Sequence, residues 1–416
     1  MESGKTIAVT GVTGWLASHI VVQLLDANCI VHGSVRSLEK GEFLFGLHPL
    51  AKSNLKLVVS DLLNKDNWDE LVKGCDVLIH TASPFNFSTN KSEDLIYPAV
   101  LGTKNVLQSC VRNHIKRVVL TSSVVAVTYG HSNKRYKCNL EFVEKEIKNW
   151  NDFTLNFNSF SIKCTDQYHL RTNKSIPEYF NNWKCMNEDD FSDIAKIKNY
   201  ELSKSLAEQT AWKIANENNI SLTVLCPGFI FGPILSPIHE KCESSQHLLK
   251  LLKHKYPVLP SIGCSHVDVR DAAECHVKAA LLPVSIVSNK RIIVACDTGN
   301  INIIDQIKFI NDKLLNTSSI LPVKAPKWLI SIASYFMSDA KYAIDKINKP
   351  SYTSNYSAYN ILMKNEWRCV ELSILSHIIS LIKFNIINIA TVPKNLIEAY
   401  TPYNDLNSVK DKVMTK

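Results

Sequence analysis

Short apolar runs alternate with helical patterns through the first 230 residues, and this alternation narrows the possible folds more than any other feature. The runs are rich in Val, Ile and Leu and lack polar alternation, which is typical of strands covered by helices on both faces. Such an order predicts βαβ units that feed one parallel sheet. The expected strands are Thr6–Thr10, Ile30–Val35, Leu55–Val59, Val77–His80, Arg117–Thr121 and Ser221–Cys226. The expected helices are Trp15–Ala27, Trp68–Lys73, Asp94–Asn113 and Tyr200–Glu217.

The domain organisation follows from where this pattern fades. Beyond Gly232 helical segments and loops dominate, although Arg291–Ala295 predicts one more strand. The stretch from 131 to 186 is rich in Asn, Lys and aromatic residues without clear periodicity, which predicts a surface insertion. We therefore expect a Rossmann-type α/β fold, a doubly wound parallel sheet with a smaller C-terminal substrate lobe. The predicted divisions are 1–232 for the nucleotide-binding domain, 233–392 for the substrate lobe with 266–300 returning to the first domain, and 393–416 for a flexible tail.

The overall composition is that of a globular protein. With 416 residues, 45% of them apolar and 21% charged, the chain has room for a large core. The formal charge of +8 is spread along the chain, and no long basic run carries interleaved aromatic residues. We therefore expect no nucleic-acid partner, while the mild positive balance suits an anionic cofactor.

Cysteine and hydropathy patterns indicate the compartment. The 12 cysteines are scattered and form no CxxC pair, so the sequence predicts reduced thiols, no metal site and no redox dithiol. The N-terminus enters an apolar strand at once, which leaves no room for a secretory signal. The most membrane-like stretch, 373–392, contains His377, Lys383, Asn385 and Asn388. These residues are costly in hydrocarbon, so the stretch predicts a packed helix followed by a strand or turn, and we expect a cytoplasmic protein without a membrane span.

A glycine-spaced turn, Thr10-Gly11-Val12-Thr13-Gly14-Trp15-Leu16-Ala17, joins the first strand to the first helix. Gly11 and Gly14 let the backbone approach phosphates closely, because a Cβ at the turn would block them, and the helix amides can receive a pyrophosphate. Ala17 allows tight packing of the helix on the strand. The alternative is an ordinary tight strand-to-helix turn, since glycine spacing alone is weak evidence.

Arg36 stands just past the second strand, where NAD-specific sites carry an acidic residue for the ribose hydroxyls. A guanidinium there binds a 2′-phosphate through charge-assisted hydrogen bonds, and Lys40 adds a second charge. The position predicts NADP(H) as cofactor; the alternative for Arg36 is a solvated loop charge. Asp61 and Leu62 follow the third strand, where they can contact the adenine ring, although an Asp in such a loop also caps helices.

Tyr200 and Lys204 are four residues apart, so on a helix they share one face. The ammonium is expected to lower the pKa of the phenol, which ordinarily lies near 10, and so to make it a better proton source. The fifth strand ends in Thr121-Ser122-Ser123, at the sheet edge where α/β proteins bind ligands. A hydroxyl there can hold a substrate oxygen beside Tyr200, and the alternative for both serines is turn and cap chemistry.

Together these residues resemble the extended short-chain dehydrogenase/reductases, in the branch of the dihydroflavonol reductases, cinnamoyl-CoA reductases and yeast-type methylglyoxal or ketone reductases. The resemblance covers most of 6–130 and 187–300. The segments that carry it are Val9–Ala17, Val35–Ser37, His80–Phe85, Pro98–Val100 with Gly102-Thr103, Arg117–Ser123, Tyr200–Trp212, Pro227-Gly228 with Gly232-Pro233, and Val267–Asp271.

The resemblance implies reduction of an aldehyde or ketone to an alcohol, with hydride from NADPH and a proton from Tyr200. It implies that Ser123, Tyr200 and Lys204 form the catalytic set. By the same analogy the residues that touch NADP(H) are Gly11, Gly14, Arg36, Lys40, Asp61, Leu62, Thr81, Ala82, Ser83, Tyr200, Lys204 and Pro227. The chain departs from the family in the long span between Ser123 and Tyr200, and it lacks the extra motif that marks cinnamoyl-CoA reductases around the tyrosine.

Three alternatives stay open at this point. A nucleotide-sugar epimerase or dehydratase shares the fold and the Tyr/Lys pair, but its site generally carries an acid where this chain has Arg36. A hydroxysteroid-type dehydrogenase runs the same chemistry in the oxidative direction. A non-catalytic NADP-binding scaffold or sensor keeps the cofactor turn without the chemistry. The sequence identifies neither the small-molecule carbonyl substrate nor the oligomeric state, because pocket walls come from variable loops.

Overall fold

The computed structural model describes the chain in stretches separated by gaps. The described residues are 4–65, 67–83, 93–131, 185–253, 259–296, 300–311, 323–336, 340, 343–344, 346–347, 352–389, 392, 397–398 and 400–403. The predicted insertion at 131–186 lies almost entirely outside them, as do Pro84 and Phe85 of the family motif and most of the predicted tail at 393–416.

The described strands form one large parallel sheet and two small sheets. They are β1 (Thr6–Val9), β2 (Ile30–Val35), β3 (Leu55–Val59), β4 (Val77–His80), β5 (Arg117–Thr121), β6 (Cys185–Met186), β7 (Ser221–Pro227), β8 (Phe229–Phe231), β9 (Gly263–Asp268), β10 (Lys290–Val294), β11 (Asn300–Asn302) and β12 (Tyr352–Thr353). The large sheet has the order β3-β2-β1-β4-β5-β7-β10, and all its strands run parallel. The chain order reverses between β1 and β4, which places a binding crevice at the carboxyl ends of these strands. The Rossmann-type sheet predicted from the sequence is thereby confirmed.

Helices cover both faces of this sheet. They are α1 (Trp15–Asp26), α2 (Leu38–Gly41), α3 (Ala51–Asn54), α4 (Trp68–Val72), α5 (Glu93–Arg112), α6 (Val125–Thr128), α7 (Asn199–Glu217), α8 (Glu243–Leu252), α9 (Val269–Leu281), α10 (Val284–Val287), α11 (Ile303–Ile310), α12 (Lys327–Ala333), α13 (Tyr356–Leu362) and α14 (Val370–Lys383). The four helices expected between the strands correspond to α1, α4, α5 and α7. The sequence did not predict the short helices α2 and α3, because one turn carries too few residues to show a period.

Side chains of the sheet alternate between two apolar layers. In β1, Ile7 and Val9 belong to the layer that contains α1 and α9, whereas Ala8 belongs to the layer that contains α5 and α7. Successive strand residues point to opposite faces, and here both faces are covered by helices. The carboxyl ends of the strands are therefore held rigidly by packing on two sides.

A smaller sheet lies in the C-terminal half, where β9 pairs parallel with β8 and antiparallel with β11. Its Phe231 and Ile301 share a core with Ile374 and Ile378 of α14. This packed helix and the turn after it match the prediction for 373–392. Within the described stretches, no helix combines the length and apolar character needed to cross a membrane. The division into 1–232 and 233–392 stays a prediction.

The two ends of the predicted insertion lie side by side. The Ser192 amide donates to the Ala126 carbonyl at 2.8 Å, and the Asp193 amide donates to the Tyr129 carbonyl at 3.1 Å. The Ser192 hydroxyl also donates to the Val125 carbonyl at 2.7 Å and accepts from the Tyr129 amide at 3.0 Å. The chain therefore leaves and re-enters the domain at one place, so the long span there does not interrupt the sheet.

The predicted flexible tail begins too early at residue 393. Tyr400 is only 2% exposed, and its carbonyl accepts from Lys383 Nζ at 2.7 Å. The Tyr403 hydroxyl lies 2.6 Å from His19 Nδ1, on a helix almost four hundred residues earlier. Residues 400–403 thus belong to the folded body, which their polar neighbours in the sequence did not indicate.

A buried cluster of charges joins α9 to the segment before α14. Asp271 is fully buried and accepts from Lys364 Nζ at 3.2 Å, from the Arg368 amide at 2.7 Å and from the Arg368 guanidinium. Changing Asp271 to Asn is expected to destabilise the fold by about 3 kcal/mol, because two cations lose a buried anionic partner. Equilibrium unfolding in denaturant measures this. The control is Asp305→Asn at a half-exposed side chain, whose substitution should cost less than about 0.5 kcal/mol. Equal unfolding midpoints in the two variants would contradict the expectation.

Candidate active site

The glycine turn after β1 is shaped for close approach of a phosphate. Gly11 has φ of +66°, and a Cβ there would lie 3.1 Å from the Cβ of Ala82. The Gly11 amide donates to Ser34 Oγ at 2.7 Å, and the Gly14 amide donates to the Gly11 carbonyl at 2.8 Å. Gly14 precedes α1 with no capping side chain, and the first turn of α1 has no acidic residue. The amides at this helix start are therefore open to an anion, and the turn fits a pyrophosphate.

Hydrogen bonds of Thr10 connect the end of β4 to this glycine turn. Its hydroxyl accepts from the amides of Thr81 and Ala82, at 3.0 and 2.9 Å, and lies 2.9 Å from His80 Nδ1. Because both amides occupy the oxygen as an acceptor, the hydroxyl proton goes to His80 Nδ1. His80 therefore carries its own proton on Nε2, which faces Thr103 Oγ1 at 3.5 Å. The predicted segment 81–83 is thus brought beside the glycine turn.

The two cations predicted for the 2′-phosphate lie at the carboxyl end of β2. Arg36 directly follows this strand, and Lys40 lies in the short helix α2. Both side chains are exposed, and neither makes an ion pair with any residue the structure describes. A guanidinium without a partner at this edge can take an anionic ligand at little cost in lost protein contacts.

Asp61 and Leu62 make local contacts after β3. The Asp61 carboxylate accepts from the Leu63 amide at 2.8 Å, which is a local turn contact and not the helix cap considered as its alternative. The side chain of Leu62 packs against Gly102, where a Cβ would come within 2.8 Å of it. The Leu62 carbonyl accepts from Asn105 Nδ2 at 2.9 Å. Their contact with the adenine ring stays a prediction, as does the contact of Pro227, the last residue of β7.

The structure brings the three catalytic candidates together. Ser123 lies just beyond β5, and Tyr200 and Lys204 occupy the first turns of α7. The hydroxyls of Ser123 and Tyr200 are joined by a hydrogen bond, and Lys204 Nζ donates to the Thr121 carbonyl at 3.4 Å. The strand end and the helix therefore hold a phenol, a hydroxyl and an ammonium at one edge of the sheet.

Burial has the largest effect on the pKa values of Tyr200 and Lys204. It raises the pKa of Tyr200 above its ordinary value, while the hydrogen bond with Ser123 acts in the opposite direction. Burial also lowers the pKa of Lys204 to about 8, against the raising effects of Cys226 and Glu208. The pKa of Tyr200 is therefore raised, and not lowered as expected from the sequence, because burial removes the phenolate from water.

Sequence reasoning missed the residues behind the catalytic set. Ser122, a candidate beside Ser123, points away from Tyr200 and donates to Glu208 Oε2 at 2.5 Å. Glu208 lies four residues after Lys204, so the helical spacing that paired Tyr200 with Lys204 could also have found it.

A small cavity of about 10 Å³, the size for a single water, lies between these residues. Its lining includes His80, Thr103, Thr121, Ser122, Lys204 and Glu208.

Comparison with known protein sequences identifies the family. A family model described as "Male sterility protein" matches residues 9–289, which is more than half of the chain. Tetraketide alpha-pyrone reductase 1 of Arabidopsis thaliana is 33% identical over 285 residues, which cover 67% of this chain and 73% of the relative. A cinnamoyl-CoA reductase of Medicago truncatula is 30% identical over 280 residues, which cover 66% of this chain and 72% of the relative.

Solved structures have the same fold. Gre2 of Candida albicans in complex with NADPH is 25% identical with a TM-score of 0.65, over 91% of this chain and 99% of that chain. Vestitone reductase from alfalfa is 21% identical with a TM-score of 0.63, over 92% of this chain and 100% of that chain. The chain belongs to the male sterility protein family of extended short-chain dehydrogenase/reductases, and it is an oxidoreductase of that family.

Proposed function

We propose that this chain reduces the carbonyl group of a small aldehyde or ketone to an alcohol, with Tyr200 as proton donor. The observation that carries the proposal is the meeting of Ser123, Tyr200 and Lys204 at the sheet edge, beside a glycine turn open to phosphate. Relatives named as reductases of cinnamoyl-CoA and of tetraketide alpha-pyrones support a carbonyl substrate.

NADP(H) is the cofactor, and the chain offers residues for each of its parts. The turn at Gly11 and Gly14 receives the pyrophosphate on open amides, and Arg36 with Lys40 receives the 2′-phosphate. Thr81, Ala82 and Ser83 lie alongside, and the hydroxyl of Thr10 holds the amides of the first two. When bound, NADPH supplies the hydride that the carbonyl carbon accepts.

Residues of the chain supply the proton that the substrate oxygen takes up. Ser123 holds the substrate oxygen by a hydrogen bond, and Tyr200 donates its phenolic proton to that oxygen as negative charge develops on it. The raised pKa of Tyr200 keeps the phenol protonated at neutral pH until this moment. Lys204, as a cation, stabilises the phenolate that remains. Ser123 therefore positions the substrate oxygen, Tyr200 donates the proton, and Lys204 stabilises the phenolate.

A spectrophotometric screen tests this function. Purified protein is expected to oxidise NADPH in the presence of at least one class among small dicarbonyls, aromatic aldehydes, flavanone-like ketones and steroids. Analysis of the product should show the corresponding alcohol in equal amount with the NADPH consumed. Tight binding of NADPH without consumption of any carbonyl would instead favour a non-catalytic sensor.

A further inference from the structure

A buried ion pair lies directly behind the catalytic lysine. Glu208 and Arg291 are both buried, and their side chains meet in a two-point contact, with Arg291 Nε 2.6 Å from Glu208 Oε1 and its second nitrogen 3.3 Å from Oε2. Trp212 Nε1 adds a longer hydrogen bond to Glu208 Oε1 at 3.4 Å. Every oxygen of this carboxylate is therefore occupied, which fixes its orientation.

Arg291 is anchored independently of Glu208. It lies in β10 opposite Val224 of β7, and its guanidinium donates to the carbonyls of Ala126, Glu188 and Asp190 at 3.0, 3.2 and 2.5 Å. These carbonyls lie on either side of the gap at 132–184. Arg291 therefore links the large sheet to the residues on both sides of 132–184. Its guanidinium is held in a fixed position against Glu208.

Glu208 reaches the catalytic set by two routes. It accepts the hydroxyl of Ser122 at 2.5 Å, and the neighbours of Ser122 in the chain hold Lys204 through the Thr121 carbonyl and Tyr200 through the Ser123 hydroxyl. It also lies one helical turn beyond Lys204, and both side chains line the same small cavity. One carboxylate therefore contacts the strand end and faces the ammonium.

We propose that Glu208, held by Arg291, is a positioning residue that keeps Lys204 cationic and fixes the strand end at 121–123 against the catalytic helix. We assign Glu208 no contact with substrate or cofactor, and the inference rests on the proposed reduction. Anionic charge one turn away offsets the loss of hydration that a buried ammonium suffers. Without it, Lys204 loses its proton at lower pH and no longer stabilises the tyrosine phenolate.

The other titratable groups described around Lys204 do not supply this charge. Glu201, one turn earlier on α7, is already paired with Lys346 Nζ at 2.6 Å. Cys226 of β7 raises the pKa of Lys204 only when it is a thiolate, and burial raises its own pKa to about 12, so at working pH it is a neutral thiol without that effect. His80 of β4 has a pKa lowered by burial to about 3, so it is neutral as well. Tyr200 keeps its proton because burial raises its pKa, and Arg291 is a cation whose charge opposes that of Glu208. Among these described neighbours, Glu208 is thus the group that places a negative charge beside Lys204.

The first test measures the protonation of Lys204 and does not depend on catalytic turnover. Competitive acetylation with acetic anhydride over a pH series, read by mass spectrometry, reports the fraction of Lys204 that is deprotonated. We expect Glu208→Gln to move the Lys204 labelling curve to lower pH, and Glu208→Asp, which keeps the charge, to return it close to that of the unmodified protein. Lys213 on the same helix is 75% exposed and serves as an internal control whose curve should not move.

The pH dependence of kcat gives the second readout. For Glu208→Gln the alkaline limb should shift to lower pH while the Kd for NADPH stays within about twofold, since a positioning residue makes no contact with the cofactor. The matched control Glu217→Gln removes an exposed charge from the same helix and should leave the profile unchanged. If the single variant fails to fold, Glu208→Gln/Arg291→Gln replaces it, because this pair leaves no unmatched buried charge.

Two results separate the inference from the proposed function. A folded Gln variant with unshifted labelling and pH curves overturns the role of Glu208 while the reductase function stands. Unmodified protein that reduces no carbonyl, but whose Lys204 labelling still depends on Glu208, overturns the function alone. A shift of equal size in Glu217→Gln would also overturn the proposal, because the effect would then come from general charge.

Discussion

Changing Tyr200 to Phe is expected to lower kcat by about a thousandfold while the Kd for NADPH changes by less than about twofold. Phenylalanine keeps the aromatic ring and its burial but removes the hydroxyl that donates the proton. It also removes the hydrogen bond with Ser123, whose hydroxyl remains free to hold the substrate oxygen. Steady-state kinetics with the carbonyl found in the screen, together with NADPH titration by fluorescence, measures both quantities.

The matched control is Tyr335→Phe, which removes a phenolic hydroxyl from a side chain that is 85% exposed. Its kcat should equal that of the unmodified protein. Equal turnover in Tyr200→Phe would end the assignment of this residue as proton donor. Loss of NADPH binding in the same variant would point to a structural role for the hydroxyl.

Changing Arg36 to Asp is expected to reverse or abolish the preference for NADPH over NADH. Hydrogen bonds to a charged group contribute about 1.5 to 3 kcal/mol, so their loss corresponds to about a 10- to 150-fold weaker binding of NADPH. An aspartate adds repulsion of the 2′-phosphate and can accept from the ribose hydroxyls of NADH. The ratio of kcat/KM for the two cofactors measures the change.

Lys73→Asp provides the control for this variant. It makes the same change of charge at an exposed position just beyond α4, so it tests whether net charge alone alters affinity for a phosphorylated cofactor. The cofactor ratio should stay as in the unmodified protein. An unchanged ratio in Arg36→Asp would mean that the 2′-phosphate binds elsewhere than at the end of β2.

Sequence reasoning was most successful where structure depends on neighbours in the chain. The strands of the large sheet and four of the helices between them, α1, α4, α5 and α7, were predicted almost to their ends, because apolar runs and helical periods are local signals. The helical spacing of Tyr200 and Lys204 and the glycine turn at Gly11 belong to the same class. For these features the distance along the chain already fixes the geometry.

It failed where distant segments meet. Arg291 and Glu208 are 83 residues apart, and neither carried a signal that linked them until the sheet placed β10 beside β7. Tyr403 bonds to His19 across most of the chain, so a stretch with the composition of a tail is anchored in the body. Such pairs are selected by packing, and packing leaves no trace in local composition.

The sequence by itself determined the class of fold, the order of its elements and the register of the Tyr and Lys on one helical face, since each of these follows from local periodicity. Only the tertiary structure decided which carboxylate faces the ammonium and in which direction the pKa values of Tyr200 and Lys204 move. The physical reason is desolvation: it depends on what surrounds a group in space, and it is the largest cause of the raised pKa of Tyr200.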